Sequence, residues 1–383
     1  MRPLGVGALV GAVAIWMAVG PAFAQSGYEG AEAGPRPDTL TARSTAWWLR
    51  WGPERPDLLR YNRVEGLSVG VRAGVRPYAF GRGLPVTTTV RLGTADRTPS
   101  FRLAIERPSL RRALSVAFYD ELSTTEQGAR HFGPLNSLTS ALAGRDAGDY
   151  YRRTGVRFAW EPPPTEHPTY GVAIHSERHA SVSAETRASL ARLWHGDGWA
   201  FRPNVAAEEG WEHALTVAWT PWWGRDRRSV RGGVRTVAAA ALGDLRHVRA
   251  AVLGRLVLPI PGGMRVAFAA GGGGASEEVP LQRSFAVGGP STLRGYPSRV
   301  RVGPCHARAR VELERTVAPG AVVAFWDGAW AGACDAWSEA SPLRSVGIGV
   351  ALVDGFVRAD LVRALDAPGA VRLEVYVDDP PYR

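Results

Sequence analysis

Lysine is missing from this sequence: all 46 basic residues are arginine, scattered along the chain without forming a block. The net charge of +10 would ordinarily raise nucleic acid as a partner, but with no basic run to track a phosphate backbone that reading is set aside. Long apolar runs are also missing once the first 25 residues are passed. None reaches the roughly 18 residues that a membrane-crossing helix needs. The sequence lacks a Gly-x-Ser-x-Gly elbow, a His-Glu-x-x-His zinc helix and a phosphate-binding P-loop, so no enzyme, cofactor or metal is expected. Cysteine is nearly absent, with only Cys305 and Cys334, and no zinc-type His/Cys spacing accompanies them.

What is present points to strands. The 383 residues are 45% hydrophobic and 21% charged, which is a folding composition, and 45 glycines, 28 prolines and 14 tryptophans favour many strands and turns over helices. Arg2, the apolar stretch 4–19 and Ala22-Phe23-Ala24 before Gln25 read as a signal peptide over 1–24, since the stretch is too short to be a comfortable membrane anchor. Residues 25–60, rich in Pro, Gly and charge and ending near Trp47, Trp48 and Trp51, are expected to be a periplasmic lead-in, with the main domain over 61–383. An exported chain without a spanning helix is either soluble or a membrane barrel, because only helices and closed barrels satisfy every backbone group in lipid.

Period-2 alternation decides for the barrel. His306, Arg308, Arg310, Glu312 and Glu314 interleave with Ala307, Ala309, Val311 and Leu313, and Arg372, Glu374, Tyr376 and Asp378 interleave with Val371, Leu373, Val375 and Val377. Soluble sandwiches alternate too. Segments of about 10 residues, with Ala, Gly and Val on one face and Arg–Glu pairs on the other, suit a wet lumen inside lipid. Short turns near 259–262, 317–320 and 353–355 alternate with long polar segments at 123–148, 183–211, 276–304 and 333–343, as in outer-membrane barrels. Fifteen segments can be placed from the sequence, the first near 63–77 and the last near 369–378. An all-β, antiparallel transmembrane barrel of about 16 strands is expected, with 14 as the alternative and one strand of the N-terminal half unplaced.

The most informative stretch is Gln282-Arg283-Ser284-Phe285-Ala286-Val287-Gly288-Gly289, followed by Ser291-Thr292-Leu293-Arg294-Gly295-Tyr296. It resembles the hallmark loop of the BamA-type outer-membrane assembly and secretion barrels, the bacterial surface antigen family. Phe325-Trp326-Asp327-Gly328-Ala329 resembles that family's Phe-x-Asp-x-Gly strand, and residues 61–67 resemble the first barrel strand of some relatives. The resemblance implies that the loop folds into the lumen and that Arg294 docks on the acidic strand motif. Physical reasoning converges on this: arginine on a Gly-rich loop, with Gly288, Gly289 and Gly295, is a planar multi-donor cation that a facing carboxylate can receive bidentately. Asp327 shares parity with Phe325 and is out of phase with Trp326 and Trp330, so it faces the lumen if those tryptophans face lipid. Glu312 and Glu314 are alternative acceptors.

Cys305 and Cys334 flank a hairpin turning near Pro319 and are expected to form a disulfide. His175 and His179 lie in a strand-like segment and read as ordinary lumen or rim residues, the glycines at 271–274 as a thinned, flexible strand end, and 186–194 as a loop helix. The chain departs from the family in having no room for its periplasmic repeats and in ending Pro380-Pro381-Tyr382-Arg383 instead of on an aromatic residue. The resemblance implies a location in the cell outer membrane, contact with its lipid, and insertion or translocation of polypeptide, or alternatively of lipid, across that membrane; a polypeptide client and a periplasmic protein are the partners to look for, and the sequence leaves open whether such a protein replaces the missing repeats. The alternatives are a passive, anion-favouring diffusion pore and, third, a barrel-embedded hydrolase.

Overall fold

The computed structural model describes residues 47–377 apart from 53–55, 80–81, 108–112, 127–130, 162–169, 225–228, 319, 339–340, 353–356 and 368–370. The expected signal peptide, most of the expected lead-in and the chain's last six residues lie outside the described residues.

The alternating segments form one meandering antiparallel sheet of 18 strand segments. Trp47–Trp51 and Leu59–Asn62 lie along the same neighbour and together make β1, with Trp51 opposite Val71 and Leu59 opposite Val69. The next staves are β2 (Gly66–Val75), β3 (Val86–Gly93), β4 (Pro99–Arg107), β5 (Ala113–Thr124), β6 (Tyr150–Glu161) and β7 (Tyr170–Ser181). β8 (Gly210–Trp219, continued by Trp222–Trp223), β9 (Arg231–Gly243), β10 (His247–Ile260), β11 (Met264–Ala275) and β12 (Cys305–Val317) follow. β13 (Gly320–Gly332), β14 (Leu343–Leu352), β15 (Val357–Ala364) and β16 (Val371–Val377) complete sixteen staves. The unplaced strand is thus β1, and among the described residues the sheet already includes Trp47, a position expected in the lead-in. The sequence between its two pieces, with prolines at 53 and 56, leaves β1 as segments of five and four residues, too short to show an alternation of their own.

Burial runs inside out relative to a water-soluble protein. Ile348, Leu361, Phe268 and Val69 are exposed, while Glu177, Glu212, Asp327 and Asp360 on the same sheet are buried. Alternation puts successive side chains on opposite faces, so the sheet has an oily outer surface and a charged interior. Trp326 follows the expected outward phase at 37% exposed. Trp330 shares that phase but is only 3% exposed, because Trp337 of the 333–342 connection packs edge-on against it at 5.0 Å.

Long connections at 125–149, 182–209, 276–304 and 333–342 all follow odd-numbered staves, which places them at one end. The helix α1 (Pro134–Ala143) lies in the first of these, begun by Pro134 and ended by Gly144 with a left-handed φ of 65°. The helix expected over 186–194 is reduced to Arg192–His195. Its backbone donors are used elsewhere, Thr186 N on Arg63 O at 3.2 Å and Leu190 N on Ala141 O at 2.9 Å.

Candidate functional site

The 276–304 connection between β11 and β12 turns back into the barrel. Its stem is a small hairpin, Phe285–Val287 against Arg301–Gly303. Its tip is bound internally by Gly289 N to Tyr296 O at 3.0 Å and by Gly288 N to Thr292 Oγ1 at 2.8 Å. Gly288 adopts φ +122°, and a Cβ there would come within 2.0 Å of Pro297 O, so this reversal requires glycine. Val287, Leu293 and Tyr296 pack on the small inward residues Ala329, Ala331 and Ala364. The Tyr296 hydroxyl donates to Arg344 O at 3.0 Å and accepts from Asp366 N at 3.1 Å.

Arg294 at the tip is fully buried. Its Nε donates to Asp327 Oδ2 at 2.7 Å and its Nη2 to Asp327 Oδ1 at 2.6 Å, a bidentate pair. Its Nη1 reaches Glu312 Oε1 at 2.8 Å, Asp360 Oδ2 at 3.1 Å and the Tyr376 hydroxyl at 3.4 Å. The guanidinium lies 3.4 Å over the Phe325 ring. One arginine thereby ties together β12, β13, β15 and β16. Burial opposes its charge, but the Asp327 bonds and the surrounding carboxylates outweigh this and raise its pKa. Gly295 N donates to Glu374 Oε1 at 2.9 Å. Glu314, expected as an alternative acceptor, is not at this site: it pairs with Arg265 at 2.6 Å, one inward position beyond Glu312 toward the short-turn end.

A second anchor sits across the lumen. Arg283, in the loop's first limb, places Nη2 2.6 Å from Glu212 Oε1 and 2.8 Å from Glu177 Oε1, with Nε 3.0 Å from Glu212 Oε2. His175 and His179 lie in this cluster, at 2.7 Å from Glu212 and 2.8 Å from Glu177. Sequence reasoning missed the cluster; its only local signal is His-x-Glu-x-His alternation, and the Arg283 partners lie 71 and 106 residues away. Between the anchors, Phe285 stacks on His306 at 4.1 Å beneath Arg249 at 4.6 Å. The glycines at 271–274 explain the fit: they belong to a continuously paired stave and are no flexible end, and a Cβ on Gly273 would meet Phe285 at 2.9 Å. A third contact joins the loop to the 125–149 connection, where Ser291 Oγ donates to Glu126 at 3.1 Å and Arg299 lies 3.6 Å from Asp149.

Residues 61–67 straddle the β1–β2 turn, where Arg60 pairs with Glu65 at 2.8 Å and buried Arg63 with Asp149 at 2.6 Å. Cys305 and Cys334 are disulfide-bonded at the long-loop end.

No protein-family model and no curated protein matches the sequence. Among solved structures, the chain is similar to the BamA of Haemophilus ducreyi lacking POTRA domains 1–3, with a TM-score of 0.56 at 13% identity over 86% of this chain and 69% of that one. It is also similar to CdiB from Escherichia coli (TM-score 0.46, 12% identity, 82% of this chain and 60% of that one) and to CdiB from Acinetobacter baumannii (0.42, 11%, 87% and 64%). The likeness to BamA shows the fold, an antiparallel BamA-type barrel.

Proposed function

We propose that this protein is an outer-membrane barrel that inserts or translocates polypeptide across that membrane, its lumen stoppered by the 276–304 loop. Arg294 carries the reading. A fully buried cation shared among Asp327, Glu312 and Asp360 on three staves fixes the loop inside the barrel far more firmly than a solvated loop would need. The oily outer face supports a membrane location, and the similarity of fold to BamA supports handling of polypeptide. Lipid would surround the barrel, and a separate periplasmic protein would deliver the client. No catalytic step and no nucleic acid enter this reading.

Planar-bilayer recording of the purified chain tests it. A stoppered barrel gives small, flickering currents that Arg294→Ala enlarges. Large, steady currents from the wild type would overturn the proposal in favour of a passive pore.

A further inference from the structure

At the loop's second anchor, around Arg283, the barrel wall carries a donor set fit for more than an arginine. His175, Glu177 and His179 alternate along β7 and so share its inner face, and Glu212 on β8 is the register partner of Glu177. Four side chains converge with no bend of the backbone. Ligand atoms of His175, Glu177 and Glu212 all lie within 4.8 Å of one another, and His179 Nε2 is 2.8 Å from Glu177 Oε1. Arg283 Nη2 stands in their midst, 2.6 and 2.8 Å from the two carboxylates and 3.4 Å from His179 Nε2. A cationic nitrogen held by two carboxylate oxygens beside imidazole nitrogens marks where a divalent ion would sit. Two imidazoles and two carboxylates are a donor set for zinc-class metals.

We propose that His175, Glu177, His179 and Glu212 form a binding site for a divalent transition-metal ion, with Arg283 as its internal competitor, so that the metal binds when residues 282–283 withdraw. Gln282 adds a second obstacle. Its amide oxygen accepts from Glu208 N at 3.0 Å and its amide nitrogen donates to Glu208 O at 2.9 Å, which fixes the amide's orientation. The same nitrogen therefore donates to His179 Nδ1, 3.1 Å away. His179 must then carry its proton on Nε2, toward Glu177, in the tautomer that cannot ligate through that atom. Withdrawing one dipeptide removes both the competing cation and the tautomer lock. The Tyr119 hydroxyl, donating to Glu177 Oε2 at 2.7 Å, leaves Oε1 as the metal-facing oxygen. Metal and docked loop are thus mutually exclusive, whatever cargo the barrel handles.

The test titrates the full barrel in detergent with Zn²⁺ by calorimetry and with Co²⁺ by visible absorption. Arg283→Gln should bind one ion per chain at least about tenfold more tightly than the wild type. Adding His175→Ala or His179→Ala should abolish the gain. In the wild type, which needs no variant to fold, saturating Zn²⁺ should expose the bond after Arg283 to trypsin, and EDTA should reverse this. Absence of saturable binding in folded Arg283→Gln, binding indifferent to both histidine replacements, or wild-type cleavage unchanged by Zn²⁺ would each overturn the proposal.

Discussion

Arg294 concentrates the energetics of the lumen in one side chain. Removing one partner of a buried, hydrogen-bonded ion pair typically costs about 3–5 kcal/mol, because the remaining charge stays buried without compensation. Arg294→Ala takes one cation from each of Asp327, Glu312 and Asp360 but leaves Asp327 paired with Arg310, and Glu312 and Asp360 with Arg358, so the cost should fall toward the lower end of that range. The loop is then expected to undock, which trypsin cleavage within 276–304 would report. Arg294→Lys should restore little, since an ammonium cannot reproduce the two parallel bonds to Asp327. Asp327→Ala should resemble Arg294→Ala, and the double variant should be no worse than the more severe single one, as for residues acting as a unit. Fully additive effects would show that the two act separately. Glu126 provides a pH readout of the same loop. Burial raises its pKa, but His131 Nε2 at 3.4 Å, the bond from Ser291 and the nearby Arg299 lower it further than burial raises it. A carboxyl whose folded pKa is depressed stabilises above its ordinary value and loses that contribution as pH falls through the folded value. Hydrogen exchange in 291–298 should therefore accelerate below about pH 4 after correction for intrinsic rates, and in Glu126→Gln this acid-induced change should be smaller, the carboxylates that hold Arg294 and Arg299 accounting for what is left.

At the scale of elements, β12 and β13 are tied by a covalent link, while β1 and β16 share no ladder among the described residues. Pairing of β12 with β13 sets Cys305 opposite Gly332, so Cys334 lies just past the strand end within bridging reach. Peptide mapping without reductant should recover the two cysteine peptides joined, and quantitative alkylation of both thiols before reduction would refute the bond. Among the described residues, β1 pairs with β2 alone and β16 with β15 alone. The segment around α1 reaches both outer strands: Tyr61 N of β1 donates to Ser137 Oγ at 3.0 Å, and Arg145 Nη1 to Leu373 O of β16 at 3.3 Å. What the sequence disclosed here follows from how local each signal is. β12 and β16 were legible because two unlike solvents impose a period of two over a whole stave. Arg294 was legible through its motif, and Asp327 through its parity within β13. Neither β1, split into two short pieces, nor α1, a ten-residue helix with only three leucines among small and polar residues, carries a pattern long enough to register. Arg283 was illegible because its meaning lies in β7 and β8, and nothing in its own neighbours names them.

At the scale of the whole molecule, the sheet and the loop answer to different forces. Neighbouring staves satisfy each other's backbone groups, while the loop is held by ion pairs inside the lumen. The outer face is already apolar, with Leu361, Ile348 and Phe268 exposed, so a detergent that coats it gains no fresh surface by unfolding the sheet. Breaking one ladder also strands hydrogen-bonding groups in an apolar surround at a cost of several kcal/mol each, which makes the sheet fail as a unit. The folded chain should accordingly resist SDS at room temperature, migrate faster than its boiled form, and fractionate with membranes. Arg294→Ala sharpens the expectation. If the sheet and not the plug holds the molecule together, the variant should keep the heat-dependent mobility shift while losing protection of residues 276–304, separating loop release from unfolding in a single gel. A chain recovered as a soluble species with the same mobility before and after boiling would sink the barrel reading. A variant that lost the shift together with loop protection would show instead that the plug is part of what keeps the staves assembled.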